Sequence, residues 1–134
     1  MSDRVSVKLY FSDEDYAHRM ADVLDADWGQ GEWDTLRDGK GVSLTYHEVK
    51  YAGGISSEDP GELPTDIPYH GWHGGDLDWT EGLFANVPGK GHAYTQAIEG
   101  GPAITLNKDG EVELEPLIAA QAYIQMRKKV EGGL

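Results

Sequence analysis

Residues 64–79 constrain the fold more than any other stretch of the chain. They include two prolines and three glycines, together with two histidines, three aspartates and two tryptophans. Glycine and proline interrupt regular helices and strands and favour turns. We therefore predict that this turn-rich run forms neither a helix nor a strand, and that the elements on either side hold its aromatic and ionisable side chains.

The turn-rich run lies inside an acidic middle of the chain. Residues 51–89 contain no Lys or Arg but carry seven carboxylates, those of Glu58, Asp59, Glu62, Asp66, Asp76, Asp78 and Glu81. The whole chain has 24 acidic and 11 basic residues, which gives a formal net charge of −13. Such a field repels DNA, RNA and anionic membranes, and it attracts cationic protein surfaces and metal ions. The alternative is that the acidity only keeps the surface solvated.

The length of the chain and the absence of cysteine limit the possible classes of protein. A chain of 134 residues fits one domain, which we place at residues 1–134. Without cysteine, disulfides and thiolate nucleophiles are excluded, and a reducing compartment is favoured. Residues 1–11 lack the apolar run of a signal peptide, and no segment has the composition of a membrane span. We therefore expect a cytoplasmic protein without a membrane partner.

The first half of the chain predicts a strand, a helix and a second strand. Apolar and polar residues alternate over 5–11, which is the period of a strand with one buried face. Ser12 then caps a helix that has an acidic first turn and ends near Ala26. Residues 27–41 are predicted to be an acidic connector, and alternation resumes in a strand over 42–51. A long loop begins at residue 53.

The second half predicts a meander and a second helix. Residues 92–98 and 103–106 have strand patterns, and residues 107–110 form a hairpin turn. Pro116 suits the first turn of a helix that ends before Gly132, and the apolar positions of this helix predict burial on more than one side. The predicted fold is α+β, with a mainly antiparallel sheet of four to five strands and two helices on one face. The predicted element order is β-α-β-(long loop)-β-β-β-α.

His70, His73 and Asp76 are spaced by three residues and form the best candidate metal site. Two imidazoles and one carboxylate can hold a metal ion with an open position for water. The alternative is that the histidines hydrogen-bond within the run or face solvent. We predict no bound metal and no other cofactor, and we keep a metal-dependent enzyme built on these three residues as an alternative function.

Aromatic residues placed among carboxylates favour a binding surface for a basic protein. Aromatic rings stack on guanidinium groups while carboxylates accept their hydrogen bonds. We predict a surface composed of the first helix, residues 28–38 and residues 58–81, with the basic residues 127–129 lying away from it. Its partner-binding residues are predicted to be Asp22, Asp25, Trp28, Glu32, Trp33, Asp34, Asp66, Trp72, Asp76 and Asp78.

The sequence contains no motif that specifies a reaction. Its serines lie in no Gly-x-Ser-x-Gly elbow, and residues 88–91 lack the remainder of a phosphate loop. In size, charge and lack of a catalytic motif, the chain resembles the anti-CRISPR and antirestriction proteins that phages and plasmids make against host nucleases. The resemblance implies a non-enzymatic inhibitor in the host cytoplasm that binds a basic, nucleic-acid-binding protein by carboxylate mimicry and does not itself bind nucleic acid.

Two other classes of function stay open beside the enzyme. An immunity protein would present the same acidic surface to a basic toxin nuclease. A virion or scaffold component would use its charge only to stay soluble. A pull-down from the host separates partner binding from catalysis, and gene neighbourhood separates the two kinds of inhibitor.

Overall fold

The computed structural model describes residues 4–36, 41–75 and 80–133. Within these residues it contains seven strands and two α-helices. In chain order they are β1 (Arg4–Phe11), α1 (Glu14–Trp28), β2 (Glu32–Thr35), β3 (Val42–Lys50), β4 (Tyr69–His73), β5 (Gly82–Val87), β6 (Gly91–Ile98), β7 (Gly101–Pro102) and α2 (Leu114–Glu131). The strands form one antiparallel sheet with the spatial order β2-β3-β1-β4-β5-β6-β7.

The α+β class is confirmed, but the predicted number of strands is wrong. The described residues form seven strands instead of four to five, so the predicted element order is also incomplete. The strands predicted over 5–11, 42–51 and 92–98 correspond to β1, β3 and β6. The sequence pattern misses β2, β4 and β5. In place of the strand predicted over 103–106, the chain forms the short β7 and an isolated bridge between Leu106 and Val112.

β4 corrects the prediction that residues 64–79 contain no regular element. It pairs with β1 on one side and with β5 on the other, so strands distant in sequence satisfy its backbone groups. Gly71 lies opposite Leu9, and a Cβ at this glycine would meet the backbone oxygen of Lys8 at 2.5 Å and Cζ of Phe84 at 2.7 Å. Gly71 is therefore required by close packing within the sheet and not by a turn.

β1 and α1 build the main core, as the alternation and the helical periodicity predict. Val7, Leu9 and Phe11 are buried on one face of β1. Met20 and Leu24 of α1 are buried in the same cluster. Burial of a large apolar side chain contributes about 1.5–3 kcal/mol to stability, so this contact fixes α1 against the sheet.

α1 begins and ends later than the sequence predicts. Its N-cap is Asp13, whose carboxylate accepts a backbone N–H of the first turn at 2.7 Å, so Asp13 takes the role predicted for Ser12. The helix continues past Ala26 to Trp28. Gly29 then leaves helical geometry with a φ of 81°, a conformation that glycine adopts at little cost.

The two helices pack on opposite faces of the sheet, which corrects the prediction that both lie on one face. α1 covers the face that carries Leu9 and Phe84, here called the α1 face. α2 packs through Tyr123 on Leu83 and Ala85, which lie on the other face, here called the α2 face. Because successive residues of a strand point to opposite sides, β5 contributes to both clusters.

α2 confirms the predicted second helix, but the prediction that it is buried on more than one side is wrong. Ala120, Tyr123 and Val130 are buried, whereas Leu114 is 68% exposed and Ile118 is 60% exposed. The helix therefore presents one face to the sheet and the other to solvent. In the described part of the chain, no helix has both the length and the apolar character needed to cross a bilayer.

Substitution of Gly71 tests the close packing of β4. We expect Gly71→Ala to lower the free energy of unfolding by about 2 kcal/mol, because the added methyl group collides with backbone and a buried ring. Gly101→Ala is the matched control, since its Cβ would meet one atom only, at 3.9 Å. Urea unfolding should show a change of about 0.5 kcal/mol or less for the control. Equal stability of both variants would contradict the packing requirement.

Candidate functional site

The exposed acidic residues of α1 lie beside a second acidic segment, residues 55–68. Arg19 of α1 binds Asp66 of this segment at 3.0 Å. Near the other end of α1, the indole Nε1 of Trp28 donates to Glu62 at 3.1 Å. These two contacts join α1 and residues 55–68 into one continuous surface, which we call the acidic surface. The exposed Asp22 is part of it.

Asp25 and Trp28, two of the predicted partner-binding residues, are half-buried and contact the core. Asp25 is half-buried and accepts a hydrogen bond from the Tyr46 hydroxyl at 2.8 Å. Trp28 is half-buried against the core, and its ring meets that of Tyr46 edge to face with centroids 5.5 Å apart. Both side chains therefore hold α1 on the sheet.

β2 places three further predicted residues at an edge of the sheet. Within the described residues it pairs only with β3, and all four of its residues are exposed. Trp33 is 42% exposed and lies 4.7 Å from the ring of His18 on α1, measured between centroids. Glu32 contacts His47 at 3.1 Å, and Asp34 is exposed, but both alternate with Trp33 and so point to the other face of the sheet. Trp33 thus extends the acidic surface with an accessible aromatic ring.

The sheet separates Trp72 from the acidic surface. Trp72 is half-buried on the α2 face, where it packs against the cluster that contains Leu83 and Tyr123. Asp76 and Asp78 fall outside the described residues. The structure therefore brings together five of the ten predicted residues on the α1 side: Asp22, Asp25, Trp28, Trp33 and Asp66. Glu32 and Asp34 alternate with Trp33 along β2 and lie, like Trp72, on the other face of the sheet.

The structure does not bring His70 and His73, two of the three candidate metal ligands, together. β4 carries both residues, and a separation of three along a strand directs two side chains to opposite faces. His70 stacks on Tyr10 on the α2 face, whereas His73 stacks on Phe84 on the α1 face. Asp76, the third candidate ligand, lies outside the described residues. No group of three potential metal ligands occurs in the described part of the chain.

The hydrogen bonds of His73 give it a structural role. Its Nδ1 lies 2.9 Å from the carbonyl oxygen of Gly74, which only accepts, so Nδ1 carries the proton. Its Nε2 then accepts the hydroxyl proton of Tyr94 at 2.8 Å. Burial lowers the pKa of His73, so the ring is held neutral with both nitrogens used.

A cleft of about 770 Å³ opens on the α2 face between β1, β4 and the C-terminal turns of α2. His70 lies in it with a side chain that is 8% exposed. The imidazole stacks on Tyr10 with ring centroids 4.8 Å apart and an interplanar angle of 13°. Burial, with a smaller contribution from Arg127, lowers the pKa of His70 to about 3, so this ring is neutral at pH 7.

Charged residues surround the imidazole of His70. Its Nε2 lies 3.8 Å from Oε2 of Glu131, and Nε of Arg127 lies 3.4 Å from the same oxygen. Lys8 places its Nζ 5.3 Å from the centroid of the Tyr10 ring. We call this site the α2-face cleft; its polar lining residues include Lys8, Tyr10, His70, Trp72, Arg127 and Glu131.

The sequence does not predict the α2-face cleft, although two patterns in it point to the lining residues. The alternation of β1 places Lys8 and Tyr10 on the face opposite its buried residues. Tyr123, Arg127 and Glu131 are spaced by four and therefore share one face of α2. Neither pattern indicates that the two sets meet around His70.

No protein-family model, curated protein or solved structure matches this chain. The α1 side offers exposed carboxylates, and the α2-face cleft offers a neutral imidazole together with Lys8 and Arg127.

The low pKa of His70 predicts a specific dependence of stability on pH. The unfolded chain binds this proton near pH 6.5 and the folded chain near pH 3. The stability that comes from neutral His70 is therefore full above pH 6.5 and is lost as the pH falls toward 3. His70→Phe keeps an aromatic ring against Tyr10 but removes the titration. Between about pH 6 and pH 4, we expect the wild type to lose about 1.4 kcal/mol per pH unit more than this variant.

The measurement is the free energy of unfolding of both proteins across this pH range. Acidic residues titrate in the same range, and the comparison with His70→Phe removes their shared contribution. Parallel curves for the two proteins, or an NMR titration of His70 with a midpoint near 6.5, would show that the ring is not held neutral.

Proposed function

We propose that this protein is a small non-enzymatic inhibitor that binds a basic, nucleic-acid-binding surface of another protein by carboxylate mimicry. Carboxylates at the spacing of backbone phosphates satisfy the same Lys and Arg donors that hold nucleic acid. The proposed target is a host nuclease, as for an anti-CRISPR or antirestriction protein. Nucleic acid itself is not the proposed ligand, since the net charge repels it.

The observation that carries this proposal is the charge of the acidic surface. α1 and residues 55–68 together carry nine carboxylates, five from the helix and four from the segment: Glu14, Asp15, Asp22, Asp25, Asp27, Glu58, Asp59, Glu62 and Asp66. α1 and residues 55–68 contain one basic residue, Arg19, and it already binds Asp66. The surface therefore leaves most of its negative charge for a partner to neutralise.

The segregation of basic residues supports the same conclusion. Arg127, Lys128 and Lys129 lie at the end of α2, which packs on the opposite face of the sheet from α1. An approaching basic protein is therefore steered toward α1 and away from α2. Trp33 adds an exposed ring on which an arginine of the partner can stack.

Charge reversal on α1 tests the proposal. Asp22 and Asp27 are exposed, so reversing them leaves the core untouched, whereas Asp25 supports Tyr46 and is avoided. We expect Asp22→Lys/Asp27→Lys to weaken binding of the partner recovered from the host by at least about tenfold, or about 1.4 kcal/mol. Wild-type affinity should also fall steeply between about 50 mM and about 300 mM salt.

The matched control is Asp109→Lys/Glu111→Lys, which makes the same change in charge in the exposed hairpin after β7. This variant should bind nearly as well as the wild type. If it loses binding while the α1 variant keeps it, the acidic surface is not the binding surface. Binding that is insensitive to salt and compatible with simultaneous nucleic-acid binding would remove the mimicry proposal. Recovery of a toxin nuclease as the partner would instead identify an immunity protein.

A further inference from the structure

The α2-face cleft differs in charge from the rest of this acidic chain. Among the described residues, two basic side chains, Lys8 and Arg127, and one acidic side chain, Glu131, line it. Because His70 is neutral, two cations against one carboxylate leave one positive charge in a protein of net charge −13. The cleft is on the face opposite the acidic surface, so its role is independent of the proposed inhibitor function.

His70 is a polar side chain that is more than nine-tenths buried and faces this cleft. Its Nε2 lies 3.8 Å from Glu131, which is beyond hydrogen-bonding distance. Glu131 is itself half exposed at the rim. A ligand group or a water can therefore bridge the two side chains by accepting a hydrogen bond from the imidazole of His70 and donating one to the carboxylate of Glu131.

Arg127 retains hydrogen-bonding capacity in the cleft. A guanidinium has five N–H donors. Within the described residues, its hydrogen bonds use Nε to Glu131 at 3.4 Å and Nη1 to Tyr123 at 3.5 Å, both near the long limit for such bonds. The side chain is 45% exposed, so remaining donors are open to an anionic group.

The walls of the cleft are aromatic and apolar. Tyr10, Trp72 and Tyr123 line it together with Leu83 and Val130. Its volume of about 770 Å³ is within the range of small-molecule sites, which is roughly 300–1,000 Å³. Flat rings pack well on such walls by offset or edge contacts.

We propose that the α2-face cleft binds a small organic anion in which a flat aromatic ring is joined to a phosphate or carboxylate group. The ring packs among Tyr10, Trp72 and Tyr123. The anionic group binds Lys8 and Arg127, and a polar group of the ring occupies the gap between His70 and Glu131. Two sources share this chemistry, nucleotides and aromatic carboxylates.

NMR titration of the purified full chain tests the proposal. The probes are AMP for nucleotides and indole-3-acetate for aromatic carboxylates, with adenosine, indole, inorganic phosphate and acetate as their separate parts. We expect AMP or indole-3-acetate to shift the ring signals of His70, Tyr10 and Trp72 saturably. The separate parts should bind at least about tenfold more weakly, because each loses either the ring or the charge.

Two variants and a control locate the site. Lys8→Gln and Arg127→Gln should each weaken binding of the active probe by at least about tenfold. Lys108→Gln removes the same charge from the exposed hairpin and should leave the affinity unchanged. Lys8→Gln is the safer variant for folding, because Arg127 also contacts Tyr123 and Glu131.

Several outcomes would overturn the assignment. One is the absence of saturable shifts at these rings with both AMP and indole-3-acetate. Another is equal binding of phosphate or acetate, or of adenosine or indole, since the ring or the charge would then contribute nothing. Full affinity in folded Lys8→Gln would place the anion elsewhere. None of these outcomes bears on the acidic surface, whose test uses different residues and a protein partner.

Discussion

The alternation of side chains along β1 determines which residues face α1 and which face the α2-face cleft. β1 lies between β3 and β4 in the sheet, so it has no exposed edge. Its apolar residues, Val7 and Leu9 among them, anchor α1, while Lys8 and Tyr10 point into the α2-face cleft. Because a strand divides its side chains in this way, one central element separates an acidic side from a cleft lined by cations. The two proposed binding roles depend on that separation.

The sequence predicts best those elements whose pattern of apolar residues repeats several times. β1, β3, β6 and α1 each show several repeats of their pattern, whereas the apolar positions of α2 predict the helix but not its single buried face. β2 and β4 have only four and five residues, and β4 consists of Tyr-His-Gly-Trp-His. Its stability comes from β1 and β5, which lie far away in sequence. In the sequence, Gly71 indicates a turn, whereas in the structure it is required by close packing within the sheet. Only the tertiary structure distinguishes these two reasons for a glycine.

The candidate sites show the same limit. Composition predicts an acidic surface, but it does not show that Asp25 and Trp28 have internal partners. The spacing of His70 and His73 suggests one metal site in a loop and two separate environments in a strand, so the conclusion changes with the secondary structure. The α2-face cleft combines residues near positions 8–10, 70–72 and 123–131, which no local pattern connects.

The proposed inhibitor function requires that the carboxylates of α1 and residues 55–68 contact a nucleic-acid-binding surface of the partner. Carbodiimide footprinting with mass spectrometry measures this directly, because it labels accessible carboxylates one by one. In the complex with the partner, we expect reduced labelling of Asp22, Asp27 and Glu58, and addition of the partner's nucleic acid should restore it. Unchanged labelling at these residues, with protection at Asp109 and Glu111 instead, would show that the partner does not bind the acidic surface.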